Sequence, residues 1–490
     1  MSGSREIELK FLCAPRDLSA VLAAAPEGDD DSRELISVYF DTPDLRLQKA
    51  GVSLRVRQSK AGRVLTMKRG DGLAREEYEA PLEGDQPPSE LAPLREILSE
   101  ADAAALEPAY NVRVTRRQRL VRFGDSEIEL ACDQGEVSGG RLASPISEVE
   151  LELKSGRPAA LFEFARELTK AAPLYLSFDT KSARGQALVA GEGVEARRKD
   201  KVRLAGHATI GEAFQANARN ALAQIAANAA VLREAATPEA VHQLRVAARR
   251  LRSALSTSRT VVQDDAYGPM KAELRWLAKA FDRARNLDVY AQEVLAPAAL
   301  KAAAPAGLGG LNDAVAAARD TAREGAAGAA ASERFRRLMI DASAWVETGA
   351  WVGRAAACES ARAYAARVLE QRLRKVLKRG RRIESGDDKA RHAVRIQAKK
   401  LRYAGEGFAG LYAEKRADRF VGRVKDLQDV LGTLNDIATA ESLTADLGLT
   451  SEAAFAAGEL AGLRAAGKSK LIARADRALR RLRRTDPFWA

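Results

Sequence analysis

The chain has 490 residues, too many for a single core, and its 46% hydrophobic and 30% charged residues are those of globular domains rather than of a disordered chain. Neither a membrane span nor a secretory leader is expected: no uncharged apolar run reaches 18 residues, and MSGSREIELKF opens on charges. The net charge of +12 is uneven: residues 1–190 hold 26 basic and 32 acidic side chains, and the remainder 53 basic and 35 acidic, so a basic C-terminal part points to an anionic partner.

Residues 1–190 read mainly as β-structure. EIELKF, SLRVRQ, VLTMKR, REEYEAPL, VRVTRRQRLV, EIELAC and SEVELELK alternate apolar and charged residues between turn signals such as GDG and FGDS. Cys13, Cys132 and Cys358 are far apart, without metal-ligand spacing, and read as reduced thiols of a cytoplasmic protein. Residues 191–207 lack a clear period and read as a linker. From residue 208 onward Ala, Leu and Arg recur at helical spacing, and the Ala/Pro/Gly stretch 296–310 divides this part into halves of about 208–300 and 330–490.

Strand side chains alternate between faces, so Glu6, Glu8 and Lys10 share one face, as do Arg55 and Arg57, Glu77 and Glu79, Glu148, Glu150 and Glu152, and Arg113, Arg117 and Arg119. One such strand alone is usually an ordinary wet face. Six or more, each with grouped charges, fit a closed sheet whose polar faces line a lumen. Carboxylates there would hold a hard divalent cation, and Arg or Lys would clamp phosphate oxygens. The first histidine is His207, so no histidine base lies in the strand part.

The Glu6-x-Glu8-x-Lys10 start, YFDTPDLRLQKAGVSLRVR, the Lys68 strand, REEYE, Asp133, SEVELEL and Lys181 in TKSARGQ together resemble the CYTH, or triphosphate tunnel metalloenzyme, superfamily over residues 1–190. The resemblance implies an eight-stranded antiparallel β-barrel around a tunnel, Mg²⁺ or Mn²⁺, and attack of water on a terminal phosphoryl group. It assigns substrate binding to Lys10, Arg55, Arg57, Lys68, Arg113, Arg117 and Lys181, with Arg117 open because strand register decides it. It assigns metal binding to Glu6, Glu8, Asp133, Glu150 and Glu152. Glu77, Glu79 and Glu148 are supporting groups, Glu148 either inside the tunnel or structural.

In the helical part, VHQLRVAARRLRSAL at 241–255 has a counterpart 150 residues later in RHAVRIQAKKLRYAG at 391–405. His242, Arg245, Arg249 and Arg252 match His392, Arg395, Lys399 and Arg402. Spacings of 0, 3, 7 and 10 fall within an arc of about 80° on a helix, opposite a leucine stripe. FDRARNLDV at 281–289 is echoed by LGTLNDIA at 431–438, which suggests a duplication. A solvated basic face is the ordinary reading of one such helix; two copies at the same spacing favour a shared polyanion site.

These segments, with the C-terminal DPFW, resemble the CHAD domain, and the resemblance implies a duplicated all-α bundle that binds inorganic polyphosphate through the eight residues just paired. The basic segments carry almost no aromatic platform, Tyr403 excepted, so nucleic acid is disfavoured. The expected protein is therefore an α+β multidomain chain: an inorganic triphosphatase joined to a polyphosphate-binding bundle. The alternatives are a non-catalytic polyphosphate-binding scaffold and an enzyme acting on an organic triphosphate.

Overall fold

The computed structural model describes residues 4–59, 62–70, 74–191, 195–198, 200–300 and 305–490, with the side chains of 4–6, 74, 75 and 441 left aside. The chain forms two compact units, one of residues 1–195 with 332–344, the other of 196–331 with 345–490. Segment 332–344 reads in sequence as part of the helical half, yet it groups with the strand unit, where Asp341 accepts a 2.7 Å hydrogen bond from Arg166.

The strand unit is an antiparallel sheet of β1 (Ser4–Leu12), β2 (Asp30–Asp41), β3 (Val52–Ser59), β4 (Gly62–Arg69), β5 (Ala74–Leu82), β6 (Glu107–Phe123), β7 (Ser126–Gly139), β8 (Leu142–Ser155) and β9 (Tyr175–Ser177). Their order is β5-β4-β3-β2-β6-β7-β8-β1-β9, and Ser4–Ile7 of β1 also pair with Ala74–Glu77 of β5. That pairing turns the sheet around a polar cavity, a tunnel of barrel type. Among the described residues nine strands appear where eight are expected: β9 is a short addition on the edge of β1. Two helices cover the outer face of β8, α1 (Leu18–Ala24) and α2 (Ala159–Ala171).

This covering helix layer reverses the usual logic of an amphipathic strand. Leu9 and Phe11 of β1 and Val149 and Leu151 of β8 are fully buried on the outside, where each large apolar side chain contributes about 1.5–3 kcal/mol. Glu8, Lys10, Glu150 and Glu152 are thereby turned into the lumen. A further helix, α3 (Lys181–Val189), closes onto β6 and β7. It starts on Thr180, whose side chain accepts from Ala183 N at 2.9 Å. Its Gly185 lies flat on Tyr110, since a Cβ there would stand 2.1 Å from the ring, which accounts for glycine in TKSARGQ.

The second unit is helical: α4 (Ile210–Glu234), α5 (Pro238–Thr257), α6 (Tyr267–Ala280), α7 (Asp282–Tyr290), α8 (Leu308–Ala331), α9 (Glu333–Thr348, of which 345–348 belong here), α10 (Ala361–Gly380), α11 (Asp388–Phe408), α12 (Glu414–Thr444), α13 (Ser451–Ala466) and α14 (Lys468–Arg483). The two histidine-bearing segments are α5 and α11. Thr237 caps α5 through Ala240 N, ahead of Pro238, and Asp387 caps α11 through Ala390 N at 2.8 Å. Leu244, Leu251 and Leu255 of α5 and Val394 and Leu401 of α11 are all buried, and the two helices lie in contact. The tryptophans Trp345 and Trp351 fill the core beside Phe214, and DPFW ends in a ring cluster, with Phe420 and Trp489 centroids 4.7 Å apart. Among the described residues no helix is long and apolar enough to cross a membrane.

Candidate active site and anion-binding helices

Strand register builds the tunnel site one cross-strand pair at a time. Lys10 stands opposite Glu150 and Glu8 opposite Glu152; Asp133 stands opposite Glu148, Lys68 opposite Glu77, and Arg55 opposite both Tyr39 and Thr66. The enclosed cavity measures about 300 Å³. Eight cations line it (Lys10, Arg33, Arg55, Arg57, Lys68, Arg116, Lys154 and Lys181) with seven carboxylates (Glu8, Glu77, Glu79, Glu129, Asp133, Glu150 and Glu152).

At one side the charges interlock. Arg116 donates Nε to Asp133 Oδ1 and Nη2 to Asp133 Oδ2, both at 2.7 Å, and also binds Glu150. Lys181 Nζ lies 2.7 Å from Asp133 and 2.9 Å from Glu150, and is also paired with Glu148. Lys10 Nζ lies 3.0 Å from Glu150 and 3.4 Å from Glu148. Carboxylate oxygens of Asp133, Glu148 and Glu150 all lie within 4.8 Å of one another. Burial opposes ionisation of Glu150, but Lys181, Lys10 and Arg116 outweigh it and hold its carboxyl well below the usual range. Asp133 is likewise lowered, against its burial, by Lys181 and Arg116. Burial also opposes the charge on Lys10, whose pKa Glu148 and Glu150 nonetheless raise.

The opposite wall differs. Arg57 forms no hydrogen bond or ion pair among the described residues, and its Nε, like that of Arg55, is buried without an acceptor. Burial, then Arg55 and Arg116, bring the Arg57 pKa down to about 10. Arg55 donates to the Tyr39 hydroxyl at 3.4 Å, and Tyr39 stacks on Tyr110 with ring centroids 4.7 Å apart. Lys68 pairs with Glu77 at 3.2 Å, Thr66 donates to Glu79 at 3.0 Å, and Lys154 pairs with Glu152 at 2.7 Å.

Of the residues expected here, Lys10, Arg55, Arg57, Lys68, Lys181, Glu8, Asp133, Glu150, Glu152, Glu77 and Glu79 all line the cavity. Glu148 is wholly buried at its end, against Lys181, Lys10 and Arg184. The Glu6 side chain lies outside the described residues. Arg113 and Arg117 require a correction. They share a face, but the outer one: Arg113 is exposed beside Glu34, and Arg117 is exposed with a weak contact to Ser19. On β6 the inward residues are Val112, Val114 and Arg116. The wall is apolar at 112 and 114, so placing β6's alternating charges inward picks the wrong parity. Arg33 on β2 also lines the cavity and is not legible in the sequence, because DDSRELISVYFD lacks clean alternation.

In the helical unit, α5 and α11 lie together and gather their basic residues. Burial, then Arg249, Arg395 and Arg245, bring Lys399 down to about 7, with Asp436 the opposing charge. Burial, then Arg285, bring His242 down to about 4. His392 Nδ1 lies 2.6 Å from Asn435 Oδ1. Thus the charge acting most on His242 is that of Arg285 and the partner of His392 is Asn435, the same 150-residue offset as between the two helices. Arg245 donates to Asp282 at 2.6 Å, Arg249 to the Tyr403 hydroxyl at 3.4 Å, and Arg402 stands 3.6 Å from Glu406. Arg252 is exposed, with Arg275 and Arg249 as like-charged neighbours. A separate, more apolar cavity of about 360 Å³, walled by Phe214, Phe408 and Val421, includes none of the eight.

Two domain families match the chain: CYTH over residues 4–185 and CHAD over 216–445. An inorganic triphosphatase of Haemophilus influenzae is 35% identical over 194 residues, 38% of this chain and 55% of the relative, so the chain spans about half of that relative's length. The crystal structure of a CHAD domain from the plant Ricinus communis is 30% identical, with a TM-score of 0.53 across 59% of this chain and 97% of that one. The chain therefore belongs to the CHAD family through its helical unit and carries a CYTH domain in its strand unit.

Proposed function

We propose that the strand unit is a metal-dependent inorganic triphosphatase, converting tripolyphosphate and water to pyrophosphate and phosphate, and that the helical unit binds inorganic polyphosphate. The observation that carries the first half is the divided wall of the tunnel. On one side carboxylates are held ionised by Lys10, Lys181 and Arg116; on the other, Arg55 and Arg57 are half-buried, each with an enclosed Nε that lacks an acceptor. A triphosphate supplies the acceptors that these guanidinium groups lack, and Lys68 adds a further positive charge. Similarity to the Haemophilus influenzae triphosphatase supports the same reading.

Asp133, Glu148 and Glu150 fit a hard divalent cation, Mg²⁺ or Mn²⁺, because they bring oxygen donors within one coordination sphere's reach of each other. Glu8 and Glu152 stand on the same lumen face. When bound, such an ion neutralises phosphate charge and polarises the reacting phosphoryl group. The protein's own share is positioning: in-line phosphoryl transfer needs orientation and electrostatic stabilisation more than a covalent nucleophile. The strand unit has no histidine, so a tunnel carboxylate accepts the proton of the attacking water.

The direct test is phosphate release from tripolyphosphate with Mg²⁺ or Mn²⁺. Wild type should turn over, and Glu8→Gln should lose about a hundredfold or more. No release from tripolyphosphate or from any organic triphosphate would return the tunnel to a non-catalytic ligand sensor.

The second half rests on Arg245, Arg249, Arg395 and Lys399, which crowd together with few opposing carboxylates. An anion placed there should raise the Lys399 pKa above about 7, so binding should take up protons near neutrality. Affinity for polyphosphate should fall as pH rises above 7, and Lys399→Arg, which copies Arg249, should flatten that dependence while keeping binding. Titration calorimetry in buffers of different ionisation enthalpy reads the proton directly. A pH-independent wild-type affinity with no buffer effect would refute it.

A further inference from the structure

The basic cluster on α5 and α11 does not end where the two repeats end. Arg252, the last residue of the first stripe, has Arg275 as its strongest charged neighbour. Arg275 lies one turn from Lys271 on α6, so both point the same way. Lys271 in turn bears on Lys400, together with Arg372, Lys375 and Arg379 of α10. Positions 372, 375 and 379 fall within an arc of about 60°, a single stripe along that helix.

This outer group lacks counter-charge. Among the described residues, Lys271, Arg275, Arg372, Lys375, Arg379 and Lys400 form no ion pair with a carboxylate. Arg372, half-buried, donates instead to Thr257 Oγ1 at 2.9 Å and to the Lys400 carbonyl at 3.4 Å. Elsewhere on α10 the charges are ordinary: Arg374 pairs with Glu370 at 2.7 Å, and Arg367 with Glu359. A like-charged cluster held together without carboxylates carries a repulsion that a bound polyanion would relieve. None of these six side chains is itself aromatic, and an all-cationic group of this kind is matched by a bare phosphate chain.

We propose that these residues form a second phosphate-binding branch, reached from the α5–α11 cluster through Arg252, Arg275 and Lys271, and occupied only by polyphosphate chains long enough to extend beyond that cluster. The inference rests on the polyphosphate reading of the helical unit and adds to it a preference for chain length.

The test uses the full-length protein carrying Lys271→Gln/Lys375→Gln/Arg379→Gln, with Arg372 kept because it is half-buried. Binding to long-chain polyphosphate is measured with a chelator present, so that nothing is hydrolysed. The variant should bind long chains about tenfold more weakly, and its log–log salt dependence should be shallower by about two. The deficit should vanish with chains too short to reach both clusters, and metal-dependent phosphate release from tripolyphosphate should be unchanged. Unchanged long-chain affinity and salt slope would overturn the branch, as would a deficit equal at every chain length. Equal binding of single-stranded DNA with the same deficit would assign the surface to nucleic acid instead. A wild-type protein that binds no polyphosphate at all would overturn the underlying reading, a result distinct from these.

Discussion

Glu150→Gln should be the most damaging conservative change in the tunnel, lowering metal-dependent phosphate release about a thousandfold and destabilising the unliganded strand unit by about 3–5 kcal/mol. The substitution keeps shape and removes one charge. Glu150 accepts from Lys181 at 2.9 Å, lies 3.0 Å from Lys10 and binds Arg116, so three buried cations would be left to Asp133 and Glu148. The pH dependence has a definite sign. The folded-state pKa of Glu150 is depressed well below 4.5, so its stabilisation is present above about pH 4.5 and is lost as pH falls through the lower folded value. Wild type should therefore lose stability in acid more steeply than Glu150→Gln. Denaturant unfolding across pH measures both effects, and thermal shifts on adding Mg²⁺ or Mn²⁺ should shrink in the variant. Glu34→Gln is the control: its partner Arg113 is exposed at 3.7 Å, and the change should cost less than about 1 kcal/mol. A Glu150→Gln protein with wild-type stability and turnover would remove Glu150 from the centre of the site.

Much of this site can be read from the sequence because charged residues recur every second position on strands whose other face is covered. Glu8 and Lys10, Arg55 and Arg57, Glu77 and Glu79, and Glu150 and Glu152 all fall inward, as alternation requires. What alternation does not supply is which face is inward. On β1 and β8 the outer face packs against helices, so apolar residues lie outside and charges inside. On β6 the outer face meets solvent, so Arg113 and Arg117 lie outside while Val112, Val114 and Arg116 face the lumen. The Arg116–Arg117 doublet in VRVTRRQRLV offers one arginine to each face, and only the register with β7, which sets Arg116 opposite Asp133, decides between them. The helical repeat shows the same limit. Its histidine stripes follow from spacing along one helix, whereas the neighbours Arg275, Lys271 and Arg372 come from other helices and become visible only once those helices pack.

Arg57→Met should separate function from stability in the opposite sense to Glu150→Gln. Arg57 is half-buried with its Nε enclosed, and desolvation with the charges of Arg55 and Arg116 brings its pKa down to about 10. Below pH 10 the group is charged in both the folded and unfolded chain, so the cost of holding that charge is fully present at neutral pH and fades only above pH 10. Methionine keeps an apolar stem and removes the charge, and the unliganded protein should become more stable by on the order of 1–3 kcal/mol. Activity should move the other way, with kcat/KM for tripolyphosphate falling about 10²–10³-fold as one donor to the developing phosphate charge is lost. Lys10 provides the contrast: its ammonium is paired with Glu150 and Glu148, so Lys10→Met should lower stability and activity together. Unfolding midpoints and steady-state kinetics on the two variants decide the matter. A more stable, nearly inactive Arg57→Met identifies an arginine whose counter-ion is the substrate. An Arg57→Met protein that is less stable yet fully active would make Arg57 a structural residue and leave the phosphate clamp to Arg55 and Lys68.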